Sequence, residues 1–219
     1  MIPSAVKIAP SLLAADFANL GEEVARIEDH VEMLHLDVMD GHFVPNISFG
    51  MPVVTAVRTV TRLPLDCHLM TTNPVDYLED FRQAGADSVS VHIEVLPDPT
   101  KAMERSAELG LGFAVAINPS TPFAAIEPFV EGCSMILVMS VEPGFGGQEF
   151  IDDVLPKVEQ ARSWIEDHQL DTDLQIDGGV DPDTASRCVA AGANVLVAGS
   201  AVFGQDDSVE AIRRLRGET

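Results

Sequence analysis

Leu34-His35-Leu36-Asp37-Val38-Met39 alternates without a break. A strand turns successive side chains to opposite faces, so His35, Asp37 and Met39 share one face and Leu34, Leu36 and Val38 the other. Asp66-Cys67-His68-Leu69-Met70 repeats the scheme, with His68 and Met70 together. Around these two, short β-branched or apolar runs recur near residues 6–10, 33–38, 65–70, 88–93, 112–117, 134–139, 174–177 and 194–198, eight in all. Stretches with helical periodicity separate them, among them Leu20 to His30, Val75 to Ala84, Thr100 to Leu109, Asp152 to Asp167 and Pro182 to Ala191, and several end at a glycine such as Gly85 or Gly192. Strict alternation of β and α predicts a parallel sheet with helical crossovers. Eight such units with no break in composition favour closure into an α/β (β/α)8 TIM barrel over an open doubly wound sheet, which shares the same order of elements.

The length of 219 residues suits one such barrel, and residues 1–219 read as a single catalytic domain. Hydrophobic residues at 46% and charged residues at 22% supply one large core and argue against disorder. A net charge of −22 opposes nucleic-acid and anionic-membrane partners, because both require a basic footprint. The acidity itself reads as a solvated surface. Met1-Ile2-Pro3-Ser4-Ala5-Val6-Lys7 lacks the features of a secretory leader, and no apolar run reaches membrane-spanning length, so a cytoplasmic location is expected. Cys67, Cys133 and Cys188 are odd in number and scattered, which fits small buried hydrophobes rather than a disulfide framework or Cys-rich zinc site. Gln83-Ala84-Gly85-Ala86-Asp87 and Ala190-Ala191-Gly192-Ala193-Asn194 look like one helix-to-strand solution used twice.

Chemistry in such a barrel lies at the C-terminal ends of the strands. Gln175-Ile176-Asp177-Gly178-Gly179 ends the seventh strand and adds a carboxylate to His35, Asp37 and His68. Any one of the four is compatible with a satisfied core position. Four ionisable groups at neighbouring strand ends need compensation, and one divalent ion supplies it with room for substrate oxygens. Asp66 is either a partner that orients an imidazole or a strand-entry residue. Glu142-Pro143-Gly144-Phe145-Gly146-Gly147-Gln148, Asp177-Gly178-Gly179-Val180 and Ala198-Gly199-Ser200-Ala201 follow the sixth, seventh and eighth strands. Loops of this kind bind phosphate through backbone N–H groups, and no Arg or Lys sits at these strand ends.

His35-Leu36-Asp37-Val38-Met39-Asp40-Gly41-His42-Phe43-Val44-Pro45-Asn46, Asp66-Cys67-His68-Leu69-Met70, Met139 to Gln148 and Asp177-Gly178-Gly179 together resemble the signatures of the ribulose-phosphate 3-epimerase family, and the likeness runs from Ile8 to about Phe203. The resemblance implies that His35, Asp37, His68 and Asp177 ligate one divalent ion, whether zinc, iron, manganese or cobalt, and that Asp37 and Asp177 are also the acid and base. It implies substrate contacts from Ser11 and His68 and an apolar lining of Met39, Met70 and Met139. Gly146, Gly147, Gly178, Gly179, Gly199 and Ser200 match the family's phosphate loops. The implied reaction interconverts D-ribulose 5-phosphate and D-xylulose 5-phosphate through a metal-stabilised enediolate, and the nearest alternative is a same-family epimerase of a six-carbon ketose phosphate such as allulose 6-phosphate. The expected partner is therefore a small ketose phosphate; a homo-oligomer is compatible with the sequence. A Schiff-base aldolase would need an interior lysine, whereas Lys7 begins the first strand and Lys101 and Lys157 fall on expected helices. A phosphate-barrel lyase would want Asp-x-Lys, and Met39 stands where that lysine would be. A non-enzymatic binding barrel would have no need of paired carboxylates.

Overall fold

The computed structural model of the chain describes residues 6–218; Met1 to Ala5, read above for targeting, and Thr219 lie outside the described residues. Eight strands alternate with helical crossovers: β1 (Lys7–Pro10), β2 (Leu34–Met39), β3 (Leu65–Met70), β4 (Ser88–His92), β5 (Gly112–Ile117), β6 (Met135–Met139), β7 (Asp173–Asp177) and β8 (Val195–Ala198). All pair in parallel in the order β1-β8-β7-β6-β5-β4-β3-β2. The remaining seam, between β1 and β2, is drawn together by a bridge of Ser11 to His35 and by Glu32. The Glu32 N–H donates to the Ile8 carbonyl at 3.4 Å, its carboxylate accepts the Ile8 N–H at 2.8 Å, and Arg216 holds that carboxylate at 2.6 Å. The sheet is thus a nearly closed (β/α)8 barrel, not an open doubly wound sheet.

The helices are α1 (Leu20–Ile27), α2 (Met51–Val60), α3 (Leu78–Ala84), α4 (Thr100–Leu109), α5 (Leu155–Asp167), α6 (Pro182–Ala190), α7 (Ser200–Phe203) and α8 (Ser208–Leu215). Several expected helices are trimmed by 3-10 turns, at Glu28–His30, Pro74–Tyr77 and Asp152–Val154. Between β5 and β6 the crossover is two 3-10 segments, Phe123–Ala125 and Glu127–Gly132, in a stretch where Pro122 and Pro128 each lack the N–H that a longer helix would use. The α2 segment is rich in valine and threonine, residues of weak helix propensity, and folds as a helix because Val54 and Val57 are buried against the barrel.

Two cores result from the strand alternation. Leu34, Leu36 and Val38 of β2, Leu65, Cys67 and Leu69 of β3, and their counterparts pack outward against helix residues such as Val24, Ile27, Val54 and Phe81. Inside the barrel, Ala9, Ala114, Met135, Val195 and Val197 form a small apolar cluster, with Ala116, Leu137 and Met139 above it. The two similar helix-to-strand loops are indeed one device. Gly85 and Gly192 end α3 and α6 with φ of +108° and +110°, the left-handed region that favours glycine. The Asp87 and Asn194 side chains that follow accept an N–H at the start of a neighbouring strand, from Leu65, first in β3, at 2.9 Å and from Leu174, second in β7, at 2.7 Å.

Candidate active site

Register decides which polar groups meet. In the β2–β3 pairing His35 lies opposite Asp66 and Asp37 opposite His68, all four on the interior face. Asp177 arrives at the same level from the end of β7, across the barrel. The outcome is a cluster in which one ligand atom from each of His35, Asp37, His68 and Asp177 lies within 4.8 Å of every other. Nδ1 of His68 is 3.2 Å from Asp37 Oδ1 and 3.6 Å from Asp177 Oδ2. Nε2 of His35 is 3.4 Å from Asp37 Oδ1 and 3.6 Å from Asp177 Oδ2, yet it is aligned for no hydrogen bond and stays buried without a partner. Such a nitrogen, facing two carboxylates, asks for a cation. Two imidazoles and two carboxylates form a donor set that can hold a metal ion.

Without metal, the electrostatics are mutual. Burial alone would lower the pKa of His35, but the charges of Asp37 and Asp66 raise it well above its usual value. Burial likewise opposes the rise at His68 that Asp177 and Asp37 produce. Asp37 is held far below the ordinary carboxylate range: its burial is outweighed by the two imidazoles. The Ser11 hydroxyl donates to Asp37 Oδ2 at 2.5 Å. Ser48 steadies the same residue from the following loop, its hydroxyl donating to the Asp37 carbonyl while accepting the Met39 N–H at 2.9 Å.

Asp66 is almost fully buried and serves His35, not His68. Its Oδ2 lies 3.0 Å from His35 Nδ1 and accepts from Gln175 Nε2 at 2.9 Å, while Oδ1 accepts from Ser88 at 2.8 Å. Of the two readings its position allowed, it is therefore the partner that orients an imidazole. Its own burial is outweighed by these bonds, which lower its pKa.

Above the cluster opens a cavity of about 950 Å³. Ser11, Asp37, Met39, Met70, Met139 and Asp177 line its floor and walls, as do Gly146, Gly147, Gly178, Gly179, Gly199 and Ser200. His35 and His68 are fully buried and outside this lining. Loop ties keep the mouth in shape: the Ser140 hydroxyl donates to the Gly178 carbonyl at 2.6 Å, Asn46 Nδ2 to the Gly144 carbonyl at 3.0 Å, and Gln148 Nε2 to the Glu142 carbonyl at 2.7 Å. Gly178 has a steric reason to be glycine, with φ +122° and a site for Cβ only 2.4 Å from Val141 Cγ2. Gly146, by contrast, faces open space.

Three participants escaped the sequence reading. His92, at the end of β4, is fully buried with Nε2 2.7 Å from His68 Nε2 and Nδ1 3.1 Å from Glu94 Oε2. Burial pulls its pKa down to about 4, so it is neutral at neutral pH. Glu94 is pulled to about 2, because its own burial is overcome by bonds from His92, Thr121 and the Asn118 N–H. The signal was present in Ser88-Val89-Ser90-Val91-His92, which alternates as the second and third strands do. The third is Arg214 of α8, a cation on the cavity wall that Glu210 Oε1 holds at 3.2 Å.

A nearly closed barrel with a buried pair of imidazoles and a pair of carboxylates at the C-terminal strand ends, beneath a cavity, has the build of a barrel enzyme. Among solved structures, a tryptophan synthase α-subunit from Pyrococcus furiosus superposes with a TM-score of 0.73 at 14% identity, covering 96% of this chain and 98% of that one. A 3-hexulose-6-phosphate synthase does so with a TM-score of 0.71 at 19% identity, again over 96% and 98%. At these identities the likeness is one of fold. Sequence relatives go further: ribulose-phosphate 3-epimerase of Bacillus subtilis is 47% identical over 97% of this chain and 99% of its own, and that of Synechocystis is 44% identical over 96% and 93%. The family model for ribulose-phosphate 3 epimerases matches residues 7–203, and the chain belongs to that family.

Proposed function

We propose that the chain interconverts D-ribulose 5-phosphate and D-xylulose 5-phosphate, one carboxylate removing the C3 proton and the other returning one. The observation that carries this reading is the placement of Asp37 and Asp177: they come from β2 and β7, converge in one buried cluster, and both reach the cavity wall. Inversion at carbon requires proton transfer on two faces, and two positioned carboxylates supply it, each worth roughly 10² to 10⁴-fold. Asp37 is ionised and fixed by the Ser11 hydroxyl, as a base should be. A zinc, iron, manganese or cobalt ion held by His35, Asp37, His68 and Asp177 would supply positive charge to offset the negative charge that develops on the ketose oxygens. The partnerless Nε2 of His35 supports that fit. Met39, Met70 and Met139 present thioether side chains to the cavity and exclude water from the reacting carbons.

For the phosphate, the N–H groups of the Gly146–Gly147, Gly178–Gly179 and Gly199–Ser200 loops on the cavity wall are the proposed donors. Arg214 adds a cation on the same wall. The named relatives support a five-carbon substrate over allulose 6-phosphate. Cytoplasmic residence is proposed on three free, buried cysteines and on a cytoplasmic isoform from rice that is 43% identical. Among the described residues no helix is long and apolar enough to cross a membrane. The test of function is a metal-reconstituted assay offering ribulose 5-phosphate and allulose 6-phosphate side by side. Preference for the pentose phosphate is expected, and a higher kcat/KM for the hexose phosphate would overturn the assignment.

A further inference from the structure

We propose that His92 and Glu94 are positioning residues for His68: they fix its tautomer so that Nε2 carries the proton and the Nδ1 lone pair faces Asp37 and Asp177. The inference rests on the metal reading given above and adds to it the device that prepares one of the ligands.

The direction of the relay follows from which groups can only accept or only donate. The Asn118 N–H donates to Glu94 Oε1 at 2.9 Å, and the Thr121 hydroxyl donates to the same oxygen. The other oxygen, Oε2, lies 3.1 Å from His92 Nδ1. A carboxylate has no proton to give, so Nδ1 of His92 must carry it. A neutral imidazole has one donor and one acceptor, which leaves His92 Nε2 bare. At 2.7 Å from that nitrogen, His68 Nε2 has to be the donor. Asp37 and Asp177 hold a second proton on Nδ1 in the metal-free chain; once an ion displaces it, the lone pair of His68 is on Nδ1, between the two carboxylates.

The far end of the relay is anchored. Lys157 of α5 donates from Nζ to the carbonyls of Asn118 at 2.7 Å and Pro119 at 2.9 Å, which holds the loop whose Asn118 N–H and Thr121 hydroxyl grip Glu94. The rings of His92 and His68 meet edge to edge, centroids 4.9 Å apart and planes only 23° from parallel, as an in-plane hydrogen bond between their Nε2 atoms requires, and Phe43 packs against His92 at 4.7 Å. His35 receives the same service in one step, from Asp66. Both imidazoles of the cluster thus have their free lone pair dictated by a carboxylate behind them, an arrangement that raises ligand basicity and fixes ring orientation.

Glu94→Gln reverses the relay with no change of shape. The Asn118 N–H, a donor only, keeps the amide oxygen on its own side, so the amide NH2 faces His92 and competes with the proton that belongs on Nδ1. The experiment measures zinc and cobalt affinity of the full chain by chelator competition, with melting of the metal-free protein as the control for folding. Glu94→Gln is expected to weaken metal binding by about 10- to 100-fold. His92→Leu should weaken it similarly, and His92→Gln, which returns an acceptor oxygen, should recover part of the loss. Nitrogen-15 NMR of the zinc-loaded wild type should find His92 protonated at Nδ1. Wild-type affinity in both Glu94→Gln and His92→Leu, or a proton on Nε2 of His92, would overturn the inference alone. A wild-type chain that takes up no metal would overturn it together with the metal reading. If His92→Leu does not fold, Glu94→Gln, on a partly exposed side chain, decides.

Discussion

The two halves of the barrel interior are built from the same alternation and do opposite work. On β2, β3, β4 and β7 the inward polar positions are His35, Asp37, Asp66, His68, Ser90, His92, Gln175 and Asp177, in two hydrogen-bonded sets, one around Asp66 and one around His68, that meet at 3.4–3.6 Å through the charges of Asp37 and Asp177. On β1, β5, β6 and β8 the inward apolar positions are Ala9, Ala114, Ala116, Met135, Leu137, Met139, Val195 and Val197, held by packing. Packing fills space in any direction, so the apolar half sets stability. The polar half is costly to bury, and the nitrogen it leaves without a partner, His35 Nε2, faces the site of the chemistry. Substitutions should separate the two: the polar half should lose function with little loss of fold, the apolar half the reverse.

The largest effect expected is on the polar half. Prolonged chelation should abolish turnover, addition of zinc, manganese, iron or cobalt should restore it, and elemental analysis should find one ion per chain. Full activity in a preparation shown to be metal-free would break the contrast at its root. On the apolar half, Leu137→Ala removes a fully buried side chain between Ala116 and Met139 and should cost about 2–5 kcal/mol in denaturant unfolding, with metal content retained.

A pH titration sharpens the comparison. The raised pKa values of His35 and His68 in the metal-free chain mean that their protonated forms stabilise the fold. This contribution is fully present below about pH 6.5, their unfolded value, and is lost as pH rises through the folded values. The depressed pKa of Asp37 acts the other way, its contribution present above about 3.8 and lost on acidification. The chelated protein should therefore melt at progressively lower temperature on the alkaline side, and the metal-loaded protein should not, because the ion replaces the protons. Metal affinity should rise with pH for the same reason. An alkaline slope identical with and without metal would contradict the cluster's electrostatics. The smallest effect is expected at the rim. Gly146→Val should raise KM for the phosphorylated ketose several-fold with little change in melting, since that position faces open space, whereas Gly178 substitutions collide with Val141 and confuse binding with folding. An unchanged KM would remove the Gly146 loop from the phosphate site.

Much of this was legible because strand alternation is a local signal. His35, Asp37, His68 and Asp177 could be put on interior faces from their neighbours alone. What could not be read needed register or closure. Asp66 lies beside His35 because β2 and β3 pair end to end, Leu34 opposite Leu65 and Met39 opposite Met70, which puts Asp37 and not His35 opposite His68. His92 shares its strand with Ser88 and Ser90, whose small polar side chains give an alternation without charge, and its link to His68 exists only once β3 and β4 are side by side. The α2 helix hid behind its β-branched residues. Arg214 belongs to the C-terminal helix, far in sequence from the strand ends where cations for the cavity were sought.

The pairing of Asp37 with Asp177 is the centre of the account, and solvent deuterium tests it most directly. The Asp177→Asn enzyme, matched to wild type in metal content, is incubated with each epimer in deuterated water and C3 is followed by NMR. Wild type should invert C3 with incorporation of deuterium, and the variant should fail to invert in either direction while still exchanging the C3 proton of the one epimer that faces Asp37. Inversion at the wild-type rate by the metal-replete variant would contradict it.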